Sequence, residues 1–163
     1  MIQRIQSVYL ALAVLFSLLP LGLPVWQYTI AGATETVTAL QAQAPEGQVL
    51  FFDHASPLAL GAHSAWLLLL LAGSGLCGFA IFRYQDRLRQ IGLLRIAALL
   101  LMLALLALVL LTLQGPAILQ GSADQGGAAY GIAFPAIALL LVVLAMRAIR
   151  KDEELVRSVD RIR

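Results

Sequence analysis

Four long apolar stretches constrain the fold of this chain more than any other feature. They lie at about residues 5–26, 58–82, 91–113 and 130–149, and none contains an aspartate, a glutamate or a lysine. A helix rises about 1.5 Å per residue, so roughly 20 residues cross a hydrocarbon layer of about 30 Å. Continuous apolar runs without alternation favour helices over the strands of a barrel. The sequence therefore predicts an all-α integral membrane protein, an antiparallel bundle of four transmembrane helices.

The composition agrees with a lipid environment. Hydrophobic residues make up 61% of the 163 residues and charged residues only 12%, whereas about 25% of residues are charged in a typical soluble domain. The net charge is only +2, which argues against a nucleic-acid partner. The single cysteine, Cys77, excludes a disulfide within the chain and a site built from several thiolates. We expect no nucleic acid and no cofactor to bind.

The charges divide between the two sides of this arrangement. All 11 lysine and arginine residues lie before the first stretch, around the link at about 83–90, or at and beyond the end of the fourth stretch. The loops at about 27–57 and 114–129 hold acidic residues and no basic ones. Because basic residues are retained in the cytoplasm, we expect both termini and the tail at about 150–163 to be cytoplasmic. The sequence thus predicts one multi-pass domain, residues 1–163, in the bacterial inner membrane.

The first stretch has a second interpretation as a cleaved signal peptide. A basic residue, an apolar run and the small residues at 31–33 are the elements of such a peptide. The apolar run from Val8 to Leu23, however, is longer than the usual h-region of about 7–15 residues. We favour a membrane anchor, since cleavage would leave three spans and place the termini on opposite sides.

The two outer loops differ in pattern. Aromatic and β-branched residues alternate over residues 26–38 around Gly32, a pattern typical of a hairpin. A further strand is expected at 48–52, after a turn. We therefore expect a small periplasmic β-hairpin or three-stranded sheet after the first helix. The loop at 114–129 is rich in glycine and predicts an irregular conformation.

The second apolar stretch carries a group of small residues. Ser74 and Gly78 are four residues apart, a spacing that lets two helices approach closely. Packing inside the bundle is the first interpretation of this group, and homodimerisation through the same face is the second. The residues predicted to pack in this way are Gly73, Ser74, Gly75 and Gly78.

Few side chains in this sequence suggest chemistry. No ionisable side chain lies in the middle of a stretch, which argues against an active transporter because ion and proton pathways need such groups. Asp53, His54 and His63 are weak candidates for a metal or acid–base site outside the membrane, but their spacing matches no ligand motif. With no catalytic or metal site expected, we favour a non-enzymatic scaffold or accessory subunit. The alternative is a small membrane enzyme, or a protein that binds a lipid or small molecule, using those three residues.

The tail after the fourth stretch is the most patterned polar segment. No proline or glycine interrupts it, and its apolar residues recur at helical spacing between charged ones. We therefore expect the fourth helix to continue as an amphipathic helix. It then has three interpretations: a solvated end, a helix on the anionic inner leaflet, or a surface that docks on the inner loop or on a protein partner in the cytoplasm or membrane.

Both ends of the chain resemble domain of unknown function 4293, a family of small four-span membrane proteins of Bacteroidota-type bacteria. The resemblance rests on MIQRIQSVYL at residues 1–10 and on RAIRKDE at 147–153, followed by LVRS and DR up to residue 161. The link RYQDRLRQ at 83–90 is a looser version of the family's basic link. The resemblance implies the four-span topology, an inner-membrane location and an outer loop with strands, but no activity.

The patterned residues of both ends and of the link are predicted to share the cytoplasmic side. We expect a platform there, in which Asp152 or Glu153 pairs with Arg87 or Arg89. Such a platform either locks the bundle or docks a partner. Its predicted residues are Arg4, Arg87, Arg89, Arg150, Asp152, Glu153, Leu155, Val159 and Ile162.

Overall fold

The computed structural model describes residues 2–30, 33–38, 57–84, 86–113 and 125–160. These residues are mostly helical and form α1 (Ile2–Leu18), α2 (Pro57–Phe82), α3 (Arg87–Leu113) and α4 (Ala133–Asp160). Short strands are β1 (Pro24–Ile30), β2 (Ala33–Thr38) and β3 (Gln125–Ala128). The 3₁₀ turns Leu19–Leu21 and Tyr130–Ile132 follow α1 and precede α4.

Three helices are long and apolar enough to cross a membrane. Within the described residues these segments are Ser64–Phe82, Arg87–Leu110 and Tyr130–Val156. The first apolar stretch forms a shorter helical segment, Ile5–Leu21. The chain therefore has the helices of a membrane protein, and its first helix differs in length from the other three.

The early end of α1 has a local cause. The apolar run predicts a helix to residue 26, but α1 ends at Leu18, and the chain enters β1 at Pro24. Pro20 has no N–H to donate to a helical hydrogen bond, and Pro24 disfavours the helical conformation for the residue before it. The two prolines therefore end the helix although the apolar character continues.

The helices pack side by side in a ring. The most extensive contacts join α2 to α3 and α1 to α4, and contacts of α1 with α2 and of α3 with α4 close the ring. Leu10, Leu70 and Leu101 are fully buried between them. Ala97 and Ala145 are also fully buried, and such small residues let helices approach closely in a membrane protein.

The outward faces of the helices are as apolar as the core. Leu68 exposes 65% of its surface and Leu140 exposes 62%, and many other leucines of α2, α3 and α4 behave in the same way. A soluble monomer rarely exposes so continuous an apolar surface. Contact with the lipid bilayer explains it, because hydrocarbon chains solvate leucine side chains as well as a protein core does.

The three strands form an antiparallel sheet in the order β2-β1-β3. The central strand β1 meets β3 with Trp26 opposite Ala128. The expectation of an irregular conformation throughout 114–129 is wrong for β3, which is paired over its whole length. Glycine has little intrinsic preference for strands, so the free backbone groups at the edge of β1 direct this pairing. The strand expected at 48–52 lies outside the described residues.

A close backbone contact joins the sheet to the start of α4. The Ala129 N–H donates a hydrogen bond to the Val25 carbonyl, with the N and O atoms 3.2 Å apart. Gly131 is buried there, and a Cβ on it would collide with the backbone carbonyl of Pro24. Glycine is therefore required at 131, and the contact fixes the start of β1 beside the 3₁₀ turn that precedes α4.

Candidate functional site

Polar residues gather where α2 ends, where α3 begins and where α4 extends beyond its apolar part; we call this region the polar end. Arg87 is the first residue of α3. Its Nη2 atom lies 3.1 Å from Oδ2 of Asp152, and its Nη1 atom lies 3.9 Å from Oε2 of Glu153. One guanidinium thus bridges two consecutive carboxylates of a neighbouring helix.

This ion pair is largely protected from solvent. The side chains of Arg87 and Asp152 are 23% and 12% exposed. Oδ2 of Asp152 is buried, and no described donor makes an aligned hydrogen bond to it. The nearby guanidinium is therefore the group that compensates this carboxylate, since a buried carboxylate without a cation is strongly destabilising.

Arg89 has a different environment from Arg87. Its Nη1 atom lies 3.4 Å from Oδ2 of Asp86, and the two side chains are 76% and 51% exposed. Solvent screens a pair of this kind, so it contributes little to stability. Of the two arginines predicted as partners of the tail, the structure brings only Arg87 to Asp152 and Glu153 among the described contacts.

Two buried glutamines connect the helices at the polar end. Nε2 of Gln90 donates to the Ala80 carbonyl at 2.9 Å and joins α3 to α2. Nε2 of Gln6 donates to the Ala148 carbonyl at 3.5 Å and joins α1 to α4. The Ala80 carbonyl also accepts from the Arg83 backbone N–H at 3.2 Å, so Gln90 adds a second donor to a carbonyl in the last turn of α2. Gln90 is the last residue of the link at 83–90 that the sequence assigns to the platform, but it is not among the single residues predicted there.

The other predicted platform residues are more scattered. Arg150 and Leu155 are exposed on α4. Arg4 lies in α1 and Val159 lies in α4, whereas Ile162 is outside the described residues. The contacts of the described side chains therefore define a smaller site than the predicted platform.

An open cleft of about 520 Å³ lies beside the Arg87 ion pair. Charged groups of both signs line it together with two apolar side chains. A lining of four charged and two apolar side chains suits a charged surface segment better than a purely apolar ligand. The lining residues are Asp86, Arg87, Leu88, Arg89, Glu153 and Val156.

The glycines of α2 face in different directions. Gly73 is buried against α3, where an added Cβ would lie 2.9 Å from Cγ of Leu101. Gly78 lies toward α1, with its added Cβ 3.9 Å from Cγ2 of Val14. Gly75 is exposed, and an added Cβ there has no atom within 4 Å. Gly73 thus permits a close approach of α2 and α3, while Gly75 is not required by any described packing contact.

Ser74 connects α2 to α1 inside the ring of helices. Its Oγ atom lies 2.8 Å from Oγ of Ser17 and 2.7 Å from the Leu70 carbonyl. The Ser17 hydroxyl donates to the Val14 carbonyl at 2.9 Å. Ser17 uses its own proton in this way, so Ser74 is the donor between the two hydroxyls and shares its single proton between Ser17 and the Leu70 carbonyl. The pair satisfies two buried hydroxyls and links the two helices at one position.

The group of Asp53, His54 and His63 is not assembled by any described contact. Asp53 and His54 lie outside the described residues, and His63 lies within α2. Across the described parts of the chain, no three histidine, cysteine, aspartate or glutamate side chains come together in a way that could hold a metal ion.

Sequence comparison places this architecture in a family. A family model described as Domain of unknown function (DUF4293) matches residues 2–162, nearly the whole chain. The chain belongs to this family. The resemblance seen at its two ends is therefore confirmed, and the match includes the four helices and the three strands described above. No curated protein matches the chain.

Proposed function

We propose that this protein is a non-enzymatic scaffold or accessory subunit of the bacterial inner membrane, with four spans and a cytoplasmic end locked by Arg87. The observation that carries the proposal is the approach of one guanidinium to Asp152 and Glu153, at 3.1 and 3.9 Å. The lock joins the link between α2 and α3 to the extension of α4.

The length of α1 supports a fourth span. Its 17 residues rise about 25 Å, and the 3₁₀ turn adds about 6 Å. The sum is close to the thickness of a hydrocarbon layer, about 30 Å. Since α1 also packs on α2 and α4, it stands beside two helices that are long enough to cross. The ring of helices is then an antiparallel four-transmembrane-helix bundle that forms one membrane domain.

The distribution of basic residues supports the orientation. Arginines stand at the junction of α2 and α3 and in the extension of α4, whereas β1, β2 and β3 contain no arginine or lysine. Because basic segments are retained in the cytoplasm, the polar end is cytoplasmic and the sheet is periplasmic in this proposal. Both termini are then cytoplasmic.

A rigid α4 makes the lock effective. The helix continues without interruption to Asp160, so it carries Asp152 and Glu153 to a fixed position beside α3. The ion pairs thereby fasten the α2–α3 pair to the α1–α4 pair. Leu155 and Val156 remain exposed in the turn after Asp152 and Glu153, and Val156 lines the cleft beside the ion pair. A cytoplasmic or membrane partner would find an apolar surface there.

Cysteine labelling in cells tests the orientation. In a Cys77→Ala background, Thr36→Cys in β2 and Ser158→Cys in α4 are treated with a membrane-impermeant maleimide. We expect Thr36→Cys to react in cells with a permeabilised outer membrane, and Ser158→Cys only after the inner membrane is opened. Reaction of Ser158→Cys from the periplasm would overturn the proposed orientation.

Hydrogen exchange tests the lock. In the purified chain, Arg87→Ala should speed amide exchange at 150–158 and leave the middle of α4 unchanged, because the lock acts only at the polar end. Arg89→Ala is the matched control and should leave exchange at 150–158 as in the wild type. Unchanged exchange in Arg87→Ala would refute a lock.

A truncation tests the role as a scaffold. The full chain and a chain ending at Lys151 are purified in mild detergent, and the co-purifying proteins are compared. A partner lost with the truncation should also be lost from a full chain carrying Leu155→Ser and Val156→Ser, since these substitutions leave Arg87 and its carboxylates intact. An identical set of proteins in all three samples contradicts docking through the tail. The enzyme alternative at Asp53, His54 and His63 has no described contact in its favour.

A further inference from the structure

A groove of about 340 Å³ lies between α3 and α4 on the exposed side of the helices. Arg95 lines it from α3 and Arg150 lines it from α4, and both arginines are exposed. Among the described residues, neither guanidinium forms an ion pair. Leu88, Ile91 and Gly92 form its apolar wall, and Glu153 and Glu154 line it from α4.

Gly92 keeps the groove open. An added Cβ at this residue has no atom within 4 Å, so no packing contact within the chain requires glycine here. A glycine inside a helix costs about 1 kcal/mol relative to alanine. Leu88, Gly92 and Arg95 follow one another at successive turns of α3. A larger side chain at 92 would therefore project into the space between the apolar wall and Arg95.

The charges of the groove are ordered along the helix axes. Arg95 lies about 12 Å from Arg87 along α3, toward the middle of the protein. In α4, Arg150 precedes Glu153 and Glu154 by about one turn, so it too lies on the inner side of the carboxylates. An arginine at this depth extends its guanidinium to the membrane boundary, where phospholipid phosphates are the anions within its reach. The order from the membrane outward is arginine, then glutamate.

We propose that this groove binds the headgroup of an aminophospholipid such as phosphatidylethanolamine, a proposal that rests on the four-span arrangement given above. The phosphate lies between Arg95 and Arg150, and the primary ammonium lies at Glu154. In such a lipid the phosphate is nearer the acyl chains than the ammonium is, which is the order of the charges in the groove. Guanidinium groups donate paired hydrogen bonds to phosphate oxygens, and a carboxylate accepts from an ammonium N–H.

The glutamates determine which phospholipid fits best. Glu153 already shares Arg87, 3.9 Å away, so Glu154 is the carboxylate with greater capacity for a ligand. Phosphatidylglycerol offers a phosphate and no cation to this carboxylate. Phosphatidylcholine offers a quaternary ammonium that has no N–H to donate. The apolar wall lies outward of Arg95 and contacts the methylene groups between the phosphate and the ammonium, which free phosphate lacks.

Native mass spectrometry of the delipidated full chain in neutral detergent measures this preference. Phosphatidylethanolamine should be retained at about fivefold lower concentration than phosphatidylglycerol or phosphatidylcholine, and R95Q or R150Q should weaken its retention by about tenfold or more. E154Q should abolish the preference over phosphatidylglycerol. Gly92→Leu keeps every charge and should weaken retention by filling the groove. R147Q is the matched control, because Arg147 is exposed on α4 outside the groove, and it should leave retention unchanged.

Three results would overturn the proposal. These are equal retention of the three lipids by the wild type, undiminished retention of phosphatidylethanolamine by R95Q/R150Q, and displacement of the lipid by inorganic phosphate at equal concentration. Circular dichroism verifies the fold of each variant. If R95Q does not fold, Gly92→Leu and E154Q still test whether phosphatidylethanolamine binds selectively in this groove. Lipid retention in detergent is independent of orientation. Failure of the cysteine labelling alone therefore refutes the proposed topology, and failure of selective retention alone refutes this site.

Discussion

Replacing Arg87 by alanine leaves Asp152 without its cationic partner. The Asp152 side chain is only 12% exposed and its Oδ2 atom is buried, so water replaces the guanidinium only in part. Removing one partner of a fully buried pair costs about 3–5 kcal/mol, whereas an exposed pair contributes about 1 kcal/mol or less. The Arg87 side chain is 23% exposed, so we expect a loss between these limits, about 2–3 kcal/mol in the free energy of unfolding.

Unfolding of the purified chain in mixed micelles by dodecyl sulfate, followed by circular dichroism, measures this loss. Arg89→Ala is the matched control, because the Arg89 and Asp86 side chains are 76% and 51% exposed. We expect it to cost less than about 0.5 kcal/mol. The double variant R87M/D152L removes the uncompensated carboxylate together with the guanidinium. It should recover at least half of the stability lost in Arg87→Ala.

Equal losses in Arg87→Ala and Arg89→Ala would refute this reasoning, since they would show that burial of Asp152 does not determine the energy. A double variant no more stable than Arg87→Ala would refute it as well. In that case the loss would come from the packing of the Arg87 side chain on α4 and not from a carboxylate left without a partner.

Three further predictions concern packing. In the same dodecyl sulfate titration, Gly73→Ala should lower the free energy of unfolding by about 1–3 kcal/mol because its Cβ meets Leu101. Gly75→Ala should raise the free energy of unfolding by up to about 1 kcal/mol because no atom lies near its Cβ. The opposite order would contradict the described packing. Gly131→Ala should cost more than about 2 kcal/mol, through collision with the Pro24 backbone, and should speed hydrogen exchange at Ala129, so unchanged exchange there would contradict the contact. Ser17→Ala and Ser74→Ala should each cost about 0.6–1.7 kcal/mol and less than the sum when combined; strictly additive losses would show that the two hydroxyls do not interact.

Hydropathy and hydrogen bonding place the helix ends differently. Helix α2 begins at Pro57 and ends at Phe82. Proline is suited to the first turn of a helix, and Arg83 directly follows the apolar run. Helix α3 begins at Arg87 and α4 continues to Asp160, well beyond the apolar residues, because arginine, lysine and glutamate are good helix formers in water. In α1 the prolines act in the other direction and shorten the helix. The apolar pattern thus reports which residues suit lipid, whereas backbone chemistry decides where each helix stops.

The contacts of the polar end show which parts of a site a sequence can predict. Opposite charges on two segments assigned to the same side of the membrane suggested that the link and the tail would pair. The choice of Arg87 over Arg89 depends on how α3 is rotated about its axis relative to α4. Residues two positions apart in the sequence point in directions about 200° apart around a helix, so only one of the two arginines faces α4. Gln90 bonds to a backbone carbonyl of another helix, and every residue offers such a carbonyl. No residue pattern identifies which one is used, so this contact required the structure.

The order of the strands has a consequence for how the chain is made. Strand β1 follows the first helix, yet Trp26 finds its partner Ala128 only just before the last helix. The N-terminal helix likewise has its most extensive contact with α4. A nascent chain therefore leaves one edge of β1, and the side of α1 that packs on α4, unpaired until nearly all of it has left the ribosome. Such delayed pairing is slow and exposes a strand to aggregation. Splitting the protein before residue 125 would leave an N-terminal fragment in that unfinished state permanently.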